Sequence, residues 1–382
     1  MRSTLQRIFQ AHWPSYRAAH RLPLRAHKAA EALVTCRTAA LGGHAERCPR
    51  GHVQRVWYNA CRHRACPLCA WRERARWVNA QTARLPACDY FHVIFTIPGE
   101  YNALWRYNRA AFTNLLSRCA WATLREMLAD PRHLGALPGA LAGFHSWGQT
   151  LWLHPHVHML VTAGGLDPNG QWRPCPHGGL LPARALSAKF RGKLRAWLMR
   201  EIEAQRLVLP AERRRRQWLN ELNRLGRVKH HVMVMPRYAH GRGVVAYLGR
   251  YLKGGCVSDR RLHLLEDGRV RLSYRENRTN PPKRATVTLE PADFLGRVLE
   301  HVPQTGQRVV RSYGLFACGK RAELRAVRAA LGGLPEEDEA PPPTLAGDED
   351  LPLPPCCPVC GAALIRVPIP RTARSPPERR CA

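Results

Sequence analysis

Two periodicities alternate along this chain, and they divide it into elements. "YFHVIFTIPG" (90–99) strings β-branched and aromatic residues up to a Pro-Gly turn, the pattern of a strand that ends abruptly. Residues 101–130 then carry apolar side chains at helical spacing. A strand region follows at 144–166, closing on Gly164-Gly165, and a long helical stretch at 183–225 has "ERRRRQ" as its charged face. "HHVMVMPR" (230–237) predicts another strand, and "GVVAYLGRYLKGG" (243–255) a helix stopped by two glycines. Alternation returns in 269–276 and 284–291. Residues 335–355 are rich in proline and acid, the composition of a linker, and a short tail with "CCPVCG" follows.

One stretch breaks its own pattern. "LWLHPHVHMLV" (151–161) sets His154, His156 and His158 at alternate positions in an apolar run. Residues two apart on a strand share a face, so His156 and His158 can chelate one metal ion. Pro155 cannot donate to a ladder, which predicts a strand edge or end here. A cupin-like site would want a Glu about four residues on, where Thr162 and Ala163 stand. A hydrolase of the H-x-H-x-D-H kind would need an Asp where Met159-Leu160 follow. What the chain offers instead is "YLGRYL", with Tyr247 and Tyr251 four apart and so on one helix face. Neutral metal ligands beside paired phenols suit attack on a phosphodiester, held afterwards as a phosphotyrosine ester.

Charge says which polymer would carry that phosphodiester. The 382 residues include 60 Lys and Arg against 28 Asp and Glu, a formal net charge of +32. The first thirty residues lack any acid, and many acids cluster late, in "PEEDEA" and "GDED". A field of that sign selects polyanions, with nucleic acid the default. No run of about 18 apolar residues occurs, so no membrane span is expected. The Arg-rich start reads as an amphipathic helix of the mature chain rather than a targeting segment.

Cysteines number 14, grouped with C-x-x-C spacing, which points to metal binding in a reducing compartment, the cytoplasm. Between 36 and 69 stand Cys36, His44, Cys48, His52, Cys61, Cys66 and Cys69. Cys66 with Cys69 forms a zinc knuckle, and Cys48 with His52 is the preferred second pair. Cys36 and Cys61 are reserves, and the set is large enough for two sites. Arg62 and Arg64 interleave these ligands, and Arg250 and Lys253 flank Tyr251; all four are candidate phosphate contacts.

In order, "GGHAERCPRGHVQRVWYNACRHRACPLC", "FHVIFTIP", "HPHVHMLV", "YLGRYL" and "RSYGLF" resemble the rolling-circle transposases of the insertion sequence ninety-one type, within the HUH (His-hydrophobic-His) endonucleases. The resemblance covers roughly residues 10–320. It implies an α+β catalytic fold, an antiparallel sheet flanked by helices, preceded by a small zinc-binding module. The domains would be 1–88, zinc-binding; 89–320, catalytic; and 321–382, linker and tail. It implies that His156 and His158 bind Mg²⁺ or Mn²⁺, with Gln149 as candidate third ligand and His154 behind it. Tyr247 and Tyr251 would be the nucleophiles. Structural zinc ligands would fall on Cys48, Cys61, Cys66 and Cys69, with His52 open because Arg50-Gly51 stand where many relatives have a cysteine. The implied partner is single-stranded DNA at element ends, in a bacterial cytoplasm at the nucleoid.

Other classes fit less of the chain. A three-carboxylate transposase needs acids that collect two metals, and Asp89, Glu126 and Asp167 sit in no recognisable setting. A non-catalytic zinc DNA-binding protein leaves the histidines and tyrosines idle. A relaxase would place its tyrosine before the histidines. A plasmid or phage replication initiator shares the chemistry and is the nearest alternative. The charge and aromatic content predict that affinity for a single-stranded oligonucleotide falls steeply with salt. Equal, salt-insensitive retention of duplex and single strand in filter binding would contradict it.

Overall fold

The computed structural model describes residues 3–52, 54–176, 179–252, 255–276, 283–332 and 356–372, with backbone alone for 250–252. The linker expected at 335–355, and Lys253, lie outside the described residues.

Two helices, α1 (Thr4–Ala19) and α2 (Leu24–Thr35), open the chain. α1 buries Leu5, Ile8, Phe9, Trp13 and Tyr16, the spacing of a single apolar face. Ser3 caps it by accepting from the Gln6 amide. Asp259, far along the chain, accepts from the Thr4 and Leu5 amides at 2.7 and 2.9 Å, a carboxylate at the positive end of the helix. The strands β1 (Gly43–Arg47) and β2 (Gln54–Tyr58) form a hairpin, and α3 (Pro67–Ala83) starts just after Cys66 with proline in its first turn.

β3 (Tyr90–Thr96) begins the principal sheet. The helical pattern at 101–130 resolves into α4 (Asn102–Tyr107) and α5 (Arg109–Leu128). They break at Asn108, whose buried amide donates to the Leu104 and Val208 carbonyls and accepts from the Val208 amide. The strand region at 144–166 is a hairpin of β4 (Leu137–Trp147) and β5 (Leu153–Leu166), extended by the short β6 (Trp172–Pro174). The stretch at 183–225 divides into α6 (Ala183–Glu203) and α7 (Arg215–Leu225), separated where Gln205 takes positive φ and Pro210 follows. Next come β7 (His231–Val234), α8 (Arg242–Leu252), β8 (Leu262–Leu264), β9 (Val270–Glu276), β10 (Lys283–Leu289), α9 (Pro291–Glu300), β11 (Val310–Gly314), α10 (Arg321–Ala330) and β12 (Ile365–Ile369).

The principal sheet runs β11-β4-β5-β3-β7 with β6 beside β5, every pair antiparallel. The fold is α+β, as expected. Strand alternation sorts its side chains. Phe91, Val93, Phe95, Phe144, Val157 and Met159 share one core with Phe112, Leu116, Phe190 and Leu194 of α5 and α6. On the opposite face, Tyr90, Leu141 and Leu160 pack under Val244, Val245 and Leu248 of α8. β5 is thus interior to the sheet, and Pro155 sits at its end, beside a register shift between His145 and Trp147. A second core joins α1 and α2 to residues 256–302, so the first 36 residues pack against the chain that follows α8.

α8 is seated by two close approaches. A Cβ on Gly241 would press on Leu85, Leu160 and Tyr90, and one on Gly249 would fall well inside contact with Val78 and close to Trp77 of α3. Gly249 lies between Tyr247 and Tyr251, and its lack of a side chain lets α3 and α8 touch there. Valine is stiff at χ1, so it cannot turn aside. Gly249→Ala should therefore lose about 1–3 kcal/mol in denaturant unfolding despite the better helix propensity of alanine. Adding Val78→Ala should restore most of it; an additive double mutant would show that the two residues do not press on each other.

Candidate metal centre and tyrosine helix

Register brings the histidines together. On β5, His156 stands opposite His145 of β4 and Thr96 of β3, while His158 stands opposite Gly143 and Ile94. His145, His156 and His158 are all buried, and each offers a ring nitrogen within 4.8 Å of the others. The third residue beside His156 and His158 in this group is His145, not Gln149. Gln149 is exposed in the turn joining β4 to β5, and its backbone carbonyl accepts from Arg261. His154 is exposed and serves through its backbone: its carbonyl accepts from His156 Nδ1 at 2.6 Å.

That bond fixes a tautomer. With its proton on Nδ1, His156 keeps the Nε2 lone pair for a metal. His158 is arranged alike, its Nδ1 2.9 Å from His92 Nε2 on β3. With the proton on His158 Nδ1, its Nε2 is an acceptor, and among the described residues no side chain or backbone group bonds to that buried atom. An orphaned, buried imidazole nitrogen costs free energy unless something binds it, which fits a cation among these three rings. Burial drives all four imidazoles toward neutrality: His92 is lowered to about 4 and His156 to about 3, while His145 and His158 lie well below the usual value. Neutral imidazole is the ligating form.

The turn that aligns β4 with β5 is itself held. Leu151 takes positive φ, and its carbonyl accepts from His301 Nε2 at 2.9 Å. Ser146 bonds the other ring nitrogen at 3.1 Å.

Tyr247 projects from α8 onto this cluster. Its ring centroid lies 5.4 Å from that of His158, 6.0 Å from His92 and 6.2 Å from His145. Tyr251 is one turn further along α8; its side chain and that of Arg250 are outside the described atoms. Carboxylates are elsewhere: Asp89 pairs with Arg237, Glu126 with Lys189 and Lys193, and Asp167 accepts amides of its own turn.

The cysteines fall into two groups, as their number allows, with memberships other than those expected. Cys36, Cys61, Cys66 and Cys69 converge in one group, while Cys48 and His52 converge with Cys357 and Cys360 of the tail. The reserve Cys36 takes the place foreseen for Cys48, because the end of α2 delivers it to the knuckle that opens α3. Cys36 and Cys61 lie 3.4 and 3.6 Å from Cys69, Sγ to Sγ. A disulfide needs about 2.05 Å, whereas tetrahedral zinc with bonds of about 2.3 Å separates its sulfurs by roughly 3.8 Å. Hydrogen bonds from Cys61 and Cys66 lower Cys36 to about 2, and the same contact with Cys36 pushes Cys66 up to about 12. Cys36 and Cys66, pushed in opposite directions by their contact, thus resist ionising together without a cation. Arg62 and Arg64 are exposed beside them.

Comparison with known proteins agrees with this composition. Residues 8–97 match the "Transposase zinc-binding domain" family and residues 139–323 the family described as "Putative transposase". The chain is 36% identical over 344 residues to "Putative transposase y4qJ" of Sinorhizobium fredii (strain NBRC 101917 / NGR234), covering 87% of this chain and 86% of that one. It is 31% identical over 297 residues to "Transposase for insertion sequence element IS801" of Pseudomonas savastanoi pv. phaseolicola, covering 75% and 70%. No solved structure matches.

The hydrogen bond between His92 and His158 generates a test of the histidine site. His92→Ala should weaken Mn²⁺ binding by about 10–100-fold in calorimetric titration. His92→Gln, which keeps an acceptor, should recover part of it. Unchanged affinity in both would remove His92 from the site.

Proposed function

The chain belongs to the transposases of the insertion sequence ninety-one type, and from that premise we propose that it cuts and joins single-stranded DNA through tyrosine, at a metal held by His145, His156 and His158. The observation that carries the reading is the convergence of three neutral, buried imidazoles beneath Tyr247. A divalent cation held there by His145, His156 and His158 would polarise the scissile phosphate and offset charge on its oxygens. The phenol oxygen of Tyr247 or Tyr251 forms the new bond to phosphorus as the bond to the 3′ oxygen breaks. The departing oxygen takes the proton that the phenol gives up. A 5′-phosphotyrosine and a free 3′ hydroxyl result, and the ester conserves the energy of the broken linkage, so joining needs no nucleotide cofactor. A second tyrosine four residues along lets one strand end be held while another is cut.

Recognition of single strands is supported by aromatic side chains left in solvent. Trp57 and Tyr58 on β2, Trp71 on α3 and Trp152 at the start of β5 are exposed. Arg72 lies 5.5 Å above Trp71, and Arg297 lies 3.8 Å above Trp152. Flat rings beside guanidinium groups suit stacked bases and a tracked backbone. Arg62, Arg64, Arg250 and Lys253 are assigned to phosphates on the same reasoning. A wholly imidazole donor set favours a transition-metal divalent ion over Mg²⁺.

With an oligonucleotide carrying the element's end, Mn²⁺ should support cleavage at lower concentration than Mg²⁺. His156→Ala should abolish cleavage and leave binding of the strand largely intact. Tyr247→Phe and Tyr251→Phe should each remove one covalent protein–DNA adduct seen on denaturing gels, and the double variant both. A covalent adduct in the double variant would overturn the tyrosine assignment; cleavage without any adduct in the unaltered protein would overturn the mechanism.

A further inference from the structure

The zinc chemistry expected of residues 8–97 leaves unexplained why two cysteines more than three hundred residues away lie against it. Cys48 Sγ is 3.6 Å from Cys360 Sγ and 3.8 Å from His52 Nδ1, and Cys357 Sγ is 4.0 Å from that same nitrogen. The sulfurs are too far apart for a disulfide and spaced as ligands of one tetrahedral ion. Three thiols and one imidazole are a structural zinc donor set.

Both halves are built as knuckles. On one side the Gly51 amide donates to the Cys48 carbonyl and the Arg50 amide approaches Cys48 Sγ at 3.4 Å; on the other the Gly361 amide donates to the Cys357 carbonyl. Gly51 and Gly361 both take positive φ, at 76° and 69°. From the second knuckle the chain runs into β12, which pairs antiparallel with β1 from Gly43↔Ile369 to Arg47↔Ile365. β1 thereby becomes the middle strand of the order β12-β1-β2. Little else holds this segment. The hydrophobic cluster around it contains Cys48, Cys357 and Leu364, with Cys360 packed on its edge, and Ile365, Arg366 and Pro368 of β12 are exposed. So small a core cannot offset the ordering of seventeen residues, 356–372, without a further bond. Metal ligation supplies such a bond, because binding and folding are then one event.

We propose that Cys48, His52, Cys357 and Cys360 bind a second structural zinc ion, which fastens the C-terminal segment to the N-terminal hairpin. The site is composite: neither the hairpin nor the tail has enough ligands alone. It also completes a three-stranded sheet from a two-stranded hairpin that would be marginal by itself, and so steadies the exposed aromatic strand β2. Cys356, next to these ligands, is exposed and stands outside the group.

The test needs no DNA and is independent of the proposed tyrosine chemistry. All counts are made in a His156→Ala background, so that zinc on the three imidazoles does not enter them; there, full-length protein, purified reduced, should contain two zinc ions per chain by elemental analysis. The double variant Cys357→Ser, Cys360→Ser should contain one, with the circular dichroism of the unaltered protein retained. Cobalt substitution gives a second reading, since thiolate-to-metal absorption should fall from seven Co–S bonds to four. In a chain with a protease recognition sequence inserted at 345, the cut tail should stay attached on a sizing column and leave when a chelator is added. One zinc ion in that background with its cysteines intact, two in the double variant, or a tail that leaves with all zinc retained would each overturn the proposal.

Discussion

Burying imidazole is costly unless each ring nitrogen has a partner, and that constraint organises the centre of this molecule. Four histidines face one side of a three-strand segment, and each solution is local. A backbone carbonyl takes one proton, and a neighbouring imidazole takes another. His158 Nε2 has no such partner among the described residues and lies in the group where the rings converge. The strand pairing that achieves this is intolerant of slippage, because a shift of β5 by one residue would send His156 and His158 into the apolar core beneath. The bond from His301 to the Leu151 carbonyl helps hold that register, although α9, which carries His301 just beyond its end, is far away in sequence.

Across the sheet the same register creates the opposite environment. Phenylalanines and valines from three strands meet the apolar stripes of α5 and α6, giving the rigid floor that a site of fixed geometry requires. The two faces are therefore one design: alternation along β5 places Val157 and Met159 in the floor and His156 and His158 in the site. The zinc knuckle enters this arrangement through α3, which starts at Cys66 and reaches α8 around Val78. One helix thus runs from the thiol cluster to the segment that carries the tyrosines.

Much of this was legible in the residues. Strand and helix types followed from periodicity, and the H-x-H pair announced itself by interrupting an apolar run. His145 and His92 were not foreseen, although "FHSW" and "FHVIF" hold single histidines in strand patterns. A lone histidine in a strand has no spacing to betray it; only the pairing of β4 and β3 with β5 gives it meaning. Nearness in sequence points to Gln149, but the register shift beside Trp147 and the turn after it carry that residue into solvent. The division of the cysteines into two groups was hidden for the same reason, since Cys357 and Cys360 become neighbours of Cys48 only through the pairing of β12 with β1. Periodicity alone makes the helical stretches too long, because Asn108 and the 204–214 connection break them through tertiary hydrogen bonds.

The cap on α1 has a consequence for how the chain is made. The amides of Thr4 and Leu5 wait for Asp259, and the apolar face of α1 waits for Phe294 and Leu295. A ribosome delivers the chain from its first end at about 5–20 residues per second. The opening helix therefore spends on the order of 15 to 50 seconds in the nascent chain before its partners emerge. During that interval α2 covers Trp13, through Glu31 and His27, and the rest of the apolar face lies open beside several arginines, on a particle made largely of RNA. Vectorial synthesis thus brings α1 out well before the segment that encloses it.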